Sequence, residues 1–295
     1  MISKKFRCRC VGVLSLSSIF CLHFWVLPTT VRAQDIKADQ VQTYKKVGDI
    51  ELKMHIFEPP ETTKRTGSAV VFFFGGGWVG GSPSQFFPQC RYLASRGMVA
   101  MSAEYRVRGK HNTTPFECVR DGKSAVRWVR LHAEEFDVDP SKIVAAGGSA
   151  GGHVAACTAL IKGMKDGQEG PATDKRGSSM PNALVLFNPV IDTSELGFGY
   201  KRLGDRYAEI SPLEHVRPDL PPTLIMQGNA DTTTPASGHR EFERRMTKHG
   251  NRCRLMLYPG QKHGFFNPGR GDGTGFKNTT AAMTEFLEAL GYLAR

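Results

Sequence analysis

The run Ile143-Val144-Ala145-Ala146-Gly147-Gly148-Ser149-Ala150-Gly151-Gly152-His153 passes from apolar to glycine-rich within a few residues. Its first part suits a strand buried on both faces. The stretch after Ser149, rich in small residues to about residue 164, suits a helix. Between them a Gly-x-Ser-x-Gly frame makes the turn. A serine at the tip of so sharp a strand-to-helix turn sits in a strained backbone region, and only glycine or alanine neighbours let the two elements approach closely enough to hold it. Its hydroxyl is then exposed and the following amide points at the same place. Glycine-rich serine segments also form ordinary turns and phosphate-binding loops, but a strand before and a helix after favour a nucleophile.

Strand and helix continue to alternate on both sides of this turn. Residues 41–47 and 50–57 read as two opening strands joined at Gly48-Asp49, and 69–74 is a continuous apolar run closed by three glycines. Helices are expected at 85–96 and 115–136, with strands at 98–104 and 142–146. A Gly-, Pro- and charge-rich link at 165–181 is expected to be a surface loop. Strands at 183–187, 223–227 and 252–258 follow, with an irregular segment at 192–220 and a helix at 236–249. A last helix is expected over 279–293. The pattern is that of an α/β fold: a mostly parallel central sheet of about eight strands, helices on both faces, and a small polar cap at 192–220. No internal repeat or linker divides the chain into two cores, so residues 34–295 are expected to form one domain.

The chain has 295 residues, 40% of them hydrophobic, with a formal net charge of +11. This excludes a disordered tail or a coiled coil. Five bases, Lys4, Lys5, Arg7, Arg9 and Arg32, fall in the first 33 residues, which hold no acid. The other 262 residues carry +6 without a basic run, which argues for a solvated surface and against nucleic-acid binding. Basic start, apolar stretch 11–27 and Val31-Arg32-Ala33 form the order of a secretory signal peptide, with a retained anchor as the rival. Residues 1–33 are therefore expected to be cleaved, leaving a secreted or periplasmic chain free of the membrane. Cys90, Cys118, Cys157 and Cys253 then remain, allowing a bridge but lacking the short spacings of a metal site. Oligomeric state leaves no mark in the sequence.

Three other places carry chemistry. Phe74-Gly75-Gly76-Gly77-Trp78 ends the earlier buried strand, where glycines free backbone amides to receive an oxyanion. Asp231, in Gln227-Gly228-Asn229-Ala230-Asp231, follows one late strand. His263, in Gly260-Gln261-Lys262-His263-Gly264, follows the next. A serine hydroxyl is a poor nucleophile near neutral pH, so an imidazole must take its proton and a carboxylate must hold that imidazole's tautomer and stabilise its cation. Ser149, Asp231 and His263 supply these parts, each just past the carboxyl end of a strand. Asp192 is the rival acid but is better suited to ordering its own loop. His153 is expected to pack beneath the site. Arg120 with Asp121, and Glu104-Tyr105-Arg106, are expected to be structural ion pairing.

Taken together, Gly75-Gly76-Gly77-Trp78, Glu104-Tyr105-Arg106, residues 147–153, residues 227–231 and His263-Gly264-Phe265 resemble the α/β-hydrolase superfamily. Within it the chain resembles hormone-sensitive-lipase-like and feruloyl or acetyl-xylan esterase-like carboxylesterases, from about residue 44 to the end. The resemblance implies the α/β-hydrolase fold, Ser149 as nucleophile, His263 as general base and acid, Asp231 as its orienting carboxylate, and the amides of Gly76, Gly77 and Ala150 as the oxyanion hole. It implies neither metal nor organic cofactor. One departure is Phe74, where the family has histidine.

The segment 192–220 has Glu195, Lys201, Arg202, Asp205, Arg206 and Glu209 and no long apolar amphipathic stretch, so a lid that opens onto lipid is not expected. Trp78, Phe265 and Phe266 are expected to line an open, polar-rimmed cleft. Such a cleft suits short acyl esters, including acetyl or feruloyl esters of an oligosaccharide. Two alternatives belong to other classes. A serine peptidase would cleave amide rather than ester probes, and a silent binding homologue would lack a member of the triad.

Overall fold

Side chains two residues apart explain why the central strands run through the interior. In β3 (Ala69–Phe73), Val71 and Phe73 join one buried cluster while Val70 and Phe72 join another. The same split divides β5 (Ile143–Gly148) and β6 (Ala183–Phe187), every residue of which is buried. Period-two side chains that are apolar throughout thus feed two cores, one on each face of the sheet. The computed structural model describes residues 36–164 and 177–294. The expected signal segment 1–33 and residues 165–176 of the expected surface link lie outside the described residues.

Eight strands lie in the order β1 (Gln40–Val47), β2 (Ile50–Phe57), β4 (Val99–Ala103), β3, β5, β6, β7 (Thr223–Gly228) and β8 (Cys253–Tyr258). The β1–β2 and β2–β4 pairs are antiparallel and all others parallel. Helices α3 (Pro115–Leu131), α4 (Ala150–Leu160) and α6 (Ala236–Lys248) contribute to one core, and α1 (Phe87–Ser95) and α7 (Thr274–Ala289) to the other. Two short helices, α2 (Arg108–His111) and α5 (Tyr200–Leu203), lie in the connections. This is the α/β-hydrolase arrangement, with the helix crossovers that parallel neighbours require.

Some boundaries differ from the sequence expectation for identifiable reasons. The helix expected at 85–96 begins as a 3-10 turn, Pro83–Phe86, capped by the Ser82 hydroxyl, and becomes α-helical at Phe87. Helix α3 opens with a capping box between Thr114 and Glu117 and Pro115 at its first position. It stops at Leu131, and a separate 3-10 turn, Glu134–Phe136, leads into left-handed Asp137. The last helix starts at Thr274, five residues early, because Asp272 accepts the Thr274 amide and Gly275 lets the helix rest on the Phe265 carbonyl. A Cβ at Gly275 would stand 2.3 Å from that oxygen, so the glycine there serves packing.

One expectation about polar groups is corrected, and the pairing that the sequence left open for the cysteines is decided. Asp121 does not pair with Arg120; it is fully buried and takes Arg106 at 2.7 and 2.8 Å and Lys45 at 2.8 Å. Arg120, one residue earlier and therefore on another face of α3, pairs with Glu117 at 2.6 Å. Cys90, Cys118, Cys157 and Cys253 are all free thiols rather than half-cystines. Burial pushes each of them up, Cys253 to about 12, so none is a ready nucleophile.

Candidate active site

Ser149 stands between β5 and α4 with φ 54° and ψ −122°, a conformation that costs of order 1–3 kcal/mol for a residue with a side chain. Backbone bonds hold it there. Its amide donates to the Phe187 carbonyl at 3.0 Å, and its carbonyl accepts from the amides of His153 and Val190 at 3.0 and 3.1 Å. Strand and helix meet backbone to backbone: a Cβ at Gly151 would lie 2.1 Å from the Phe73 oxygen, and one at Gly147 would lie 2.5 Å from the Gly151 oxygen. No residue but glycine fits at either place.

The loops after β7 and β8 deliver the other two side chains. His263 Nε2 lies 2.9 Å from Ser149 Oγ, and its Nδ1 lies 2.7 Å from Asp231 Oδ2. Asp231 is held on all sides: Oδ1 accepts from the amides of Thr233 and Thr234, and Oδ2 also accepts from the Thr234 hydroxyl and Gln227 Nε2. Burial by itself would raise the Asp231 pKa. Hydrogen bonds from His263 and Thr234 outweigh it and hold the carboxyl down at about 2. An ionised acceptor at Nδ1 selects the tautomer whose Nε2 lone pair faces the serine.

The glycine loop abuts the serine, since a Cβ on Gly75 would be 3.3 Å from Ser149 Cβ. Gly76, at φ 127°, folds the loop so tightly that a Cβ there would meet the Gly80 oxygen at 2.2 Å. Among the described residues, the amides of Gly76, Gly77 and Ala150 donate to no acceptor. Phe74, where the resemblance leads one to expect histidine, stacks on Tyr105 with ring centroids 4.2 Å apart, and the Tyr105 hydroxyl donates to the Phe74 carbonyl at 2.6 Å. An apolar stack with one phenolic hydrogen bond thus braces the base of the loop.

Sequence reasoning missed a set of amide side chains that joins these loops. Gln85 Oε1 accepts from the Gly75 amide at 2.6 Å, and Gln85 Nε2 donates to Asn267 Oδ1 at 2.8 Å. Asn267 Nδ2 in turn donates to the Gly264 carbonyl at 2.9 Å, while the Gly264 amide donates to Asn188 Oδ1 at 2.9 Å. The glycine loop is therefore tied through side chains to the residue after His263. Nothing in the local pattern marks Gln85 or Asn267, which lie 182 residues apart.

Three aromatic positions differ from expectation. Trp78, Phe265 and Phe266 are 1%, 5% and 1% exposed, so they pack inside the protein rather than along an open cleft. Phe266 fills the space left by the missing Cβ of Gly148, stacking against Phe86 and tilting against Phe187. Phe265 packs on Tyr258, and Trp78 meets the edge of His153 at 5.0 Å and Phe198 at 5.6 Å. His153 is buried, with Nε2 2.7 Å from the Ile210 carbonyl, and burial lowers its pKa to about 4. Asp192 accepts from the Ser194 amide and shapes its own loop.

The BD-FAE family model matches residues 54–246, well over half of the chain and inclusive of Ser149 and Asp231. The chain belongs to the BD-FAE family. The dienelactone hydrolase family model matches residues 208–293, which hold His263. Among solved structures, esterase 2 of Thermogutta terrifontis, phosphoramylated by tabun, is 49% identical, with a TM-score of 0.80 over 87% of this chain and 96% of its own. That esterase is also solved with propionate and with butyrate bound. Esterase LipC of Mycobacterium tuberculosis is 29% identical over 66% of this chain and 52% of its own length. An acetylxylan esterase of Xylanibacter ruminicola is 28% identical over 88% and 51%. The chain thus spans about half the length of the curated relatives it matches.

Proposed function

We propose that this protein is an exported serine carboxylesterase that hydrolyses short acyl esters, with acetyl or feruloyl esters of carbohydrate as its substrate class. One observation carries the reading: the unbroken line from Ser149 Oγ through His263 to Asp231, at 2.9 and 2.7 Å, beside a loop of unengaged amides. His263 Nε2 takes the Ser149 proton as Oγ attacks the ester carbonyl carbon. The negative charge that gathers on the carbonyl oxygen is received by the amides of Gly76, Gly77 and Ala150, each worth about 10²-fold or more in rate by comparison with single donors elsewhere. The imidazolium, steadied by Asp231, returns the proton to the departing alcohol and leaves an acyl-enzyme. Water then attacks with the same imidazole as base, and the acid leaves as Ser149 recovers its proton.

Support for a short acyl group comes from the propionate- and butyrate-bound forms of the Thermogutta esterase. Support for a carbohydrate alcohol comes from the polar segment 192–220 and from the acetylxylan esterase relative. Export rests on the signal-like order of residues 1–33. The test compares release of acetate from acetylated xylan oligomers with release of fatty acid from long-chain triglyceride. Faster turnover of the xylan oligomers is expected. Preference for the triglyceride overturns the substrate class, and failure to cleave any ester overturns the activity.

A further inference from the structure

Helix α5 carries a cation onto the glycine loop. Its first turn is pressed against the Trp78 indole, where a Cβ on Gly199 would come within 2.7 Å of the ring. The Arg202 amide bonds back to the Gly199 carbonyl at 2.8 Å. That anchoring directs the Arg202 side chain over the neighbouring loop. One guanidinium nitrogen, Nη1, donates to the Gly77 carbonyl and stands 3.2 Å from where a Gly77 Cβ would be. The guanidinium carbon lies 5.6 Å from the Phe198 ring centre and 6.0 Å from that of Trp78.

The rest of the fork is unused. Among the described residues, Arg202 Nε and Nη2 meet no acceptor and the side chain forms no ion pair. Of the acids of the same segment, Glu209 is paired with Arg206, Glu214 with Arg245, Asp205 interacts with Tyr200, and Asp192 accepts the Ser194 amide; none of the acids in 192–220 forms an ion pair with Arg202. A planar donor fork, fixed at one nitrogen and open at the others, suits a carboxylate far better than a neutral group. Its location decides which carboxylate. Gly77 belongs to the loop whose amides receive the ester carbonyl oxygen under the function proposed above, so the guanidinium is held beside the loop that would bind the ester, and a carboxylate carried by that ester is the acceptor it would meet.

We propose that Arg202 is a specificity-determining residue that recognises a carboxylate borne by the ester substrate itself. That carboxylate sits either on the acyl side, as in a half-ester of a dicarboxylic acid, or on the alcohol side, as in an acidic sugar. This rests on the esterase reading and adds a charge requirement to it.

The test measures kcat/KM for two matched pairs of esters with the wild type, Arg202→Gln and Arg202→Lys. Mono-p-nitrophenyl succinate against p-nitrophenyl butyrate places the charge on the acyl side. 4-Acetoxybenzoate against phenyl acetate places it on the alcohol side. In one pair the wild type should favour the anionic member, and Arg202→Gln should lower that charged-to-neutral ratio about tenfold, chiefly through KM, as expected for a lost charge-assisted contact. Arg202→Lys should retain much of the ratio, and about 0.5 M salt should erode it in the wild type but not in the glutamine variant. The responding pair identifies the side of the ester. Equal losses on charged and neutral members, or no wild-type preference in either pair, overturn the proposal and leave Arg202 as a brace for the Gly77 carbonyl. A wild type that cleaves no ester overturns the esterase reading, and this one with it; charge-blind hydrolysis overturns this one alone.

Discussion

Replacing Gln85 with leucine tests whether the glycine loop and the histidine loop are set by one side chain. Leucine keeps roughly the volume of glutamine but neither its acceptor for the Gly75 amide nor its donor for Asn267. Gly75 is buried, so its stranded amide loses about 1–3 kcal/mol of stability. Asn267 is only half-buried and recovers part of its loss with water, adding about 0.5–1 kcal/mol. Unfolding in urea should therefore show a loss of about 1.5–4 kcal/mol. The kinetic consequence is the sharper one. Gly76 and Gly77 follow the freed amide directly, and a displacement near 1 Å of such donors is worth about 10²-fold. We expect kcat on a short p-nitrophenyl ester to fall about 10- to 100-fold with KM changed less than about threefold, since the loss falls on the transition state. Gln85→Glu, which keeps the acceptor but not the donor, should lie between. The double variant with Asn267→Leu should be little worse than the poorer single variant, because both break the same connection. A Gln85→Leu enzyme with kcat within twofold of wild type, or single losses that multiply, would refute the coupling.

Other perturbations reach the remaining supports. Asp231→Asn should leave the fold intact and lower kcat by about 10³- to 10⁴-fold, measured at saturating ester, because the amide no longer selects the Nδ1-protonated imidazole. The same carboxyl affects acid stability. Its folded pKa of about 2 lies below its ordinary 3.8, so its stabilising effect is complete above 3.8 and is lost as pH falls through about 2. The difference in unfolding free energy between wild type and Asp231→Asn should thus shrink on acidification across that window, by of order 2 kcal/mol; an unchanged difference would contradict the hydrogen-bonding account. Tyr105→Phe removes the buried donor to the Phe74 carbonyl and should cost about 1–3 kcal/mol by urea titration, whereas a neutral result would mean that the stacked rings alone brace the loop.

Much of the fold was legible because the central strands are apolar at every position, a pattern that only burial on both faces requires. The start of α7 was not, since Gly273 and Gly275 look like loop residues until the Phe265 carbonyl is seen pressed against the helix. In the site, Ser149, Asp231 and His263 could be singled out because each follows a strand end, and the fold brings them within hydrogen-bond reach. Gln85, Asn188 and Asn267 escaped notice because an amide side chain carries no local signature; only the approach of distant loops gives it a role. The aromatics beside the histidine misled for a related reason. Phe266 turns inward only because Gly148 leaves a space for its ring, a pairing between residues far apart in the chain.

The most direct measurement is the mass of the protein after exposure to a fluorophosphonate, followed by peptide mapping. The account predicts a single phosphonyl adduct on Ser149, with both labelling and ester turnover abolished in Ser149→Ala while the circular dichroism of the fold is retained. An adduct on any other residue, or a Ser149→Ala protein that still turns over esters, would contradict it.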